Sequence, residues 1–83
     1  MITYFKNQKD LADALIEIID SYWKFQISEP TLIEYLKQVY ENNPEKIISN
    51  TGITPIVSQK LGKKRLNLLI KILQLEEAGN ENS

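Results

Sequence analysis

Residues 59–73 read QKLGKKRLNLLIKIL, and this stretch decides the fold because one glycine divides two helical patterns. Gly62 is the residue type that most readily ends a helix in the left-handed conformation. We therefore expect one helix at residues 55–61 and another at residues 63–77. Two helices joined at a tight turn that contains glycine have the outline of a helix-turn-helix. The C-terminal half is thus predicted to be a helix-turn-helix-like pair.

A longer helix is predicted at residues 8–25, where apolar side chains recur at the spacing of one helical face and Asn7 is a suitable N-cap. Its last aromatic residues, Tyr22, Trp23 and Phe25, are expected to pack in the core. An acidic stripe lies on the opposite face. Because a straight helix spreads this stripe along about 15 Å, we expect it to be solvated rather than to hold a metal ion. The stripe consists of Asp10, Asp13, Glu17 and Asp20.

A second helix is predicted at residues 29–42, and the segment after it allows two interpretations. In one, a short helix capped by Asn43 covers residues 44–49 and a turn follows. In the other, residues 46–49 and 52–57 form a β-hairpin, although Pro55 removes a backbone donor. Under either interpretation residues 1–77 form one all-α domain, a compact bundle of four or five short helices. Residues 78–83 are expected to form a disordered tail.

The composition excludes most catalytic chemistry. The 83 residues include no cysteine and no histidine, which removes thiolate nucleophiles and the commonest general base and metal ligand. We therefore expect no enzyme activity, no metal or other cofactor and no small-molecule substrate. The N-terminus lacks the pattern of a signal peptide, and no apolar run is long enough for a membrane span. A cytoplasmic protein without membrane contact is the resulting expectation.

The charges are distributed unevenly along the chain. Residues 46–75 contain six cations and no anion, whereas residues 1–45 have a net charge of −4. Such asymmetry is typical of a chain with a polyanion-binding half. The second helix of the pair is too apolar to offer many base-reading side chains, so contact with nucleic-acid phosphates is favoured over sequence-specific recognition. The candidate phosphate-binding residues are Lys60, Lys63, Lys64, Arg65 and Lys71.

The same helix supports an alternative function, a protein-interaction or homodimerisation module. One apolar stripe is enough to attach a helix to a small core, and the last helix carries two. The first stripe contains Leu66, Leu69, Ile70 and Leu73. The second, which would form the interface, contains Leu68, Ile72 and Leu75.

Four short segments carry a resemblance to a known family. They are KNQKDLA at residues 6–12, IIDSYW at 18–23, YENN at 40–43 and GKKRL at 62–66. With these segments the chain resembles, over residues 6–73, a family of small uncharacterised all-helical proteins of clostridia and related Gram-positive bacteria. The resemblance implies a bacterial, cytosolic protein of unknown function, and it transfers no catalytic residues.

Overall fold

The computed structural model describes residues 2–74 as four helices and one very small antiparallel sheet, which confirms the all-α class. The two strands lie between the third and fourth helices. Residues 78–83, predicted to be a tail, lie outside the described residues. No helix within residues 2–74 combines the length and hydropathy that crossing a membrane requires. The elements are α1 Gln8–Trp23, α2 Glu29–Asn42, α3 Pro44–Ile47, β1 Ile48–Ser49, β2 Gly52–Ile53 and α4 Pro55–Leu73.

The first helix, α1, begins where it was predicted to begin and ends two residues earlier. The side chain of Asn7 accepts a hydrogen bond of 2.8 Å from the backbone N–H of Asp10, so it caps the helix as expected. The helix does not reach Phe25 because that residue takes a positive φ of 62°. The predicted apolar face is buried and forms the centre of the core, with Leu11, Leu15 and Ile19 inaccessible to solvent.

The second helix, α2, has the predicted bounds, and Ser28 caps it by accepting a hydrogen bond from the N–H of Thr31. The segment after α2 combines both interpretations of the sequence. The short helix α3 is two residues shorter than predicted and ends at Ile47. The hairpin is real but shorter than its prediction, because only Ile48 with Ile53 and Ser49 with Gly52 are paired.

The fourth helix, α4, is interrupted at Gly62, where φ is 78° and ψ is 173°. The predicted division of this segment into two helices at Gly62 is therefore confirmed. The predicted left-handed helical conformation of Gly62 is wrong, since its ψ lies in the extended region that is open almost only to glycine. The helix ends at Leu73, because Gln74 adopts the left-handed conformation with φ 57°. Residues 75–77, which the prediction included in this helix, lie outside the described residues. Among the other elements, α4 packs most extensively against α1.

Asn43 ties the N-terminal arm, residues 2–7, to the end of α2. It occupies the N-cap position of α3 as predicted, but its side chain is fully buried and makes no capping bond to that helix. Its Oδ1 instead accepts a bond of 3.0 Å from the N–H of Phe5. Its Nδ2 donates bonds of 2.7 Å to the carbonyls of Thr3 and Val39. One amide thus satisfies three backbone groups from two separate segments.

Replacing this amide should destabilise the fold strongly. Asn43→Ala leaves the N–H of Phe5 and the carbonyl of Thr3 without their partner, while the carbonyl of Val39 keeps its bond from the backbone N–H of residue 43. We expect the free energy of unfolding to fall by about 2–4 kcal/mol. Urea denaturation followed by circular dichroism measures this change. The control is Asn42→Ala, which removes one exposed bond to the Thr3 hydroxyl and should cost about 0.5 kcal/mol. Equal effects of the two variants would contradict the role given to Asn43.

Gly62→Ala should also destabilise the protein, although no atom lies within 4 Å of the position that a Cβ would occupy. The penalty comes from the backbone alone and should be about 1–3 kcal/mol. In a continuous helix the same change would stabilise by about 0.5–1 kcal/mol, so the sign of the effect reports whether the break is required. Asn67→Ala, an exposed position farther along α4, is the control and should be neutral or slightly stabilising. Thermal denaturation of both variants measures the difference.

Candidate nucleic-acid interface

The five cations predicted to bind phosphate fall into two groups in the structure. Lys60 and Arg65 are ion-paired with carboxylates of α1. Lys63, Lys64 and Lys71 are exposed and form no salt bridge within residues 2–74. The two groups therefore have different electrostatic surroundings.

Arg65 connects α1 to both halves of α4. Its Nε and Nη2 donate hydrogen bonds of 2.9 and 3.0 Å to the two carboxylate oxygens of Asp20. Its Nη1 donates a bond of 3.0 Å to the carbonyl of Leu61, just before the break at Gly62. The hydrogen bond from Arg65 lowers the pKa of Asp20, and the pKa of Arg65 is raised by the same bond. The guanidinium group is therefore occupied by contacts within the fold.

Lys60 pairs with another carboxylate of α1, that of Asp13. Its Nζ lies 3.2 Å from Oδ1 of Asp13, and Lys9 lies 3.3 Å from the other oxygen of the same carboxylate. Hydrogen bonds from Lys60 and then Lys9 lower the pKa of Asp13. The acidic stripe of α1 was predicted to be solvated; Asp13 is exposed as predicted but ion-paired, whereas Asp20 is half-buried in its pair with Arg65. The sequence did not show these contacts because their partners lie more than forty residues away along the chain.

The three remaining lysines belong to one polar stripe on α4, called the lysine stripe below. At about 100° per residue, its members fall within an arc of about 100° on the helix surface. All of them are exposed. Lys63 and Lys71 are separated by about 12 Å along the helix axis, from the rise per residue. The stripe consists of Lys63, Lys64, Asn67, Lys71 and Gln74.

A shallow groove of about 310 Å³ adjoins this stripe, between the hairpin and the second half of α4. Ile53, Leu66 and Ile70 supply its apolar surface, and Lys63 and Asn67 belong to both the groove and the stripe. The sequence alone did not predict the groove, because its hairpin wall depends on the pairing of two-residue strands.

The residues predicted to form a protein interface are more buried than the lysines of the stripe. Leu68 and Ile72 are half-buried and pack against the core of their own chain. The third residue, Leu75, lies outside the described residues. The second apolar stripe of α4 is thus covered in part within the chain.

The comparisons with known proteins identify the family. A family model described as a conserved hypothetical protein matches residues 2–74. The chain belongs to this family of conserved hypothetical proteins, which confirms the resemblance noted from the sequence; a clostridial origin stays a prediction. No curated protein and no solved structure matches the chain.

The Arg65–Asp20 pair should make stability depend on acidic pH. A carboxylate whose pKa is lower in the folded state stabilises the fold above its unfolded pKa of about 3.9. This stabilisation is lost as the pH falls through the lower folded pKa. Asp20→Asn should therefore lower the melting temperature at neutral pH and flatten its dependence on pH below 4, where the wild-type protein loses the pair.

Two comparisons test whether this effect belongs to the pair. Adding Arg65→Gln to Asp20→Asn should change the melting temperature less than Arg65→Gln does alone, because the partner is already absent. Lys60→Gln removes a single, more exposed contact and should have a smaller effect than Arg65→Gln. Additive effects of Asp20→Asn and Arg65→Gln would show that the two groups do not interact.

Proposed function

We propose that this protein is a non-enzymatic binding module that contacts nucleic-acid phosphates through the lysine stripe of α4. The observation that carries the proposal is the separation of the cations into two groups. Carboxylates of α1 pair with Lys60 and Arg65, while Lys63, Lys64 and Lys71 remain on one exposed face without a salt bridge in residues 2–74. Flexible ammonium groups that are exposed and grouped on one side of a helix suit contact with a phosphate backbone.

The composition of the stripe favours the backbone over the bases. Besides its lysines it contains only two side chains that can form specific hydrogen bonds to base edges, Asn67 and Gln74. Sequence recognition normally needs several such contacts, whereas phosphate contacts position a protein without reading sequence. The whole chain has a net charge of −1. Binding would therefore depend on the local stripe and not on the overall charge.

The alternative function, homodimerisation through the apolar face of α4, has less support from this geometry. Leu68 and Ile72 already pack in part against their own core, so only the part of each side chain that is still exposed is available to such an interface. A partner surface on these residues would therefore bury little additional apolar area.

The salt dependence of binding tests which cations take part. Three phosphate contacts predict a slope of log K against log salt of about −2.7 on duplex DNA and about −2.1 on single strands. If Lys60 and Arg65 also made contacts, the duplex slope would be about −4.5. Fluorescence anisotropy with duplex and single-stranded oligonucleotides at several salt concentrations measures the slope. Absence of salt-dependent binding to DNA and RNA at low salt would contradict the proposal.

Charge removal within the stripe should weaken binding without affecting the fold. Lys63→Gln with Lys71→Gln should lower affinity about 100-fold near 50 mM salt, because each phosphate contact contributes about tenfold there. The matched control is Lys6→Gln with Lys37→Gln, which changes the net charge equally at two exposed positions away from α4. Equal losses in both double variants would mean that net charge, rather than the stripe, governs binding.

A further inference from the structure

The end of α1 exposes aromatic surface that the core does not use. The side chain of Phe25 is 94% exposed and that of Trp23 is 42% exposed, whereas Tyr22 packs against the core. The expectation that these three residues fill the core is therefore correct only for Tyr22. A nearly fully solvated phenyl ring beside a partly exposed indole is the kind of surface that aromatic anchors of protein interfaces present.

The backbone holds the Phe25 ring in this exposed position. The N–H of Gln26 donates a bond of 2.9 Å to the carbonyl of Ser21, and the N–H of Phe25 donates one of 3.0 Å to Tyr22. These are the two bonds of a Schellman motif, whose left-handed position glycine normally occupies. Here Phe25 occupies it with φ 62°. The fold thus combines two unfavourable features, a strained non-glycine backbone and an exposed apolar ring, at one residue.

A groove that can hold such a ring lies next to it. The groove is between α1 and α2 and has a volume of about 280 Å³. An apolar cavity of about 150 Å³ holds benzene, so the volume of this groove is sufficient for a phenyl ring. The lining residues are Ala14, Glu17, Ile18, Ser21, Ile27 and Tyr35.

The ring and the groove are close enough to form a reciprocal contact between two copies. Ser21 and Ile27 line the groove, and Ser21 also accepts the hydrogen bond that closes the turn around Phe25. The ring of each copy remains outside its own groove, since it is nearly fully exposed. A two-fold axis that passes midway between the ring and the groove brings each ring to the groove of the other copy, as a closed isologous interface requires.

Charge complementarity also favours a second copy as the occupant. Lys24 precedes the ring in sequence, and Glu17 lies at the edge of the groove. Neither forms a salt bridge within residues 2–74. The axis that places Phe25 in the opposite groove also brings Lys24 of one copy towards Glu17 of the other. An ion pair of this kind sets the register and suppresses other partners.

The geometry points to a symmetric homodimer in which Phe25 of each copy occupies the α1–α2 groove of the other. Each Phe25 ring would bury about 150–250 Å² and Trp23 somewhat less. With the surface that covers them, the interface is about 1,000–1,200 Å², the low end for specific association. The dimer should therefore dissociate on dilution.

Phe25→Gly distinguishes a role of Phe25 in dimerisation from a role in the stability of the fold. Glycine fits the left-handed backbone, so the variant should melt at a higher temperature than the wild-type protein under dilute, monomeric conditions. Its dimer dissociation constant should rise at least about 100-fold, because an aromatic anchor is lost twice in a symmetric dimer. Analytical ultracentrifugation of the full chain over about three decades of concentration measures both proteins. A wild-type protein that stays monomeric throughout, or a Phe25→Gly variant that associates as the wild type does, overturns the proposal.

Mixing two defective variants tests the reciprocal contact. Ala14→Lys fills the groove and leaves the ring intact, whereas Phe25→Gly removes the ring and leaves the groove intact. A mixture retains one complete contact, so the heterodimer should form more tightly than either homodimer. Likewise Glu17→Lys and Lys24→Glu should each weaken the dimer, and the double variant should restore it. If the mixture gains nothing, or if Leu68→Glu alone dissociates the dimer with the fold intact, the interface lies elsewhere and the proposal fails.

Discussion

The arrangement of α1 and α4 depends on the packing of buried Leu61 and Leu69 and on one polar contact, between Arg65 and Asp20. The break at Gly62 would allow the second half of α4 to take many directions relative to the first. One guanidinium group restricts this freedom, because it bonds the carbonyl of Leu61 before the break and both oxygens of Asp20 on α1. Lysine could not replace it, since a single ammonium group lacks the planar fork that reaches three acceptors in fixed directions.

This contact also determines which charges remain at the surface. With Asp20 paired to Arg65 and Asp13 to Lys60, the positive potential of α4 is reduced along its α1 side. Lys63, Lys64 and Lys71, which form no salt bridge within residues 2–74, then lie on the outer side together with Asn67 and Gln74. The cations that cluster in one part of the sequence are thus distributed unevenly around α4, with the paired cations near α1 and the lysine stripe on the outer side. A chain with a net charge of −1 can still contact a polyanion through the lysine stripe. The carboxylates of Asp13 and Asp20 affect mainly the cations beside them, because salt screens more distant charges.

Local signals in the sequence predicted the helices well, and contacts between distant segments account for what was missed. Caps such as Asn7 and Ser28 act within one turn, so their effect can be read from neighbouring residues. The small hairpin depends on packing against the rest of the fold, which the strand propensities of its residues do not predict. The sequence showed that Lys60 and Arg65 are cations in a basic segment. It did not show which carboxylates they pair with, because those carboxylates belong to α1. Phe25 was misplaced because the helical period extends to it, while the backbone leaves the helix one residue before it.

Gly62 and Phe25, two of the residues with positive φ, differ in what they contribute. Gly62 adopts its conformation without a side chain, so its break serves the fold alone. At Phe25 the strain accompanies a large exposed ring, which a protein under selection only for stability would replace with glycine. If that ring closes a dimer, the assembly carries two lysine stripes. A polyanion long enough to reach both would then bind the dimer more tightly than the monomer and, by linkage, favour association. The lysine stripe and the Phe25 contact would thus strengthen one another without sharing a residue.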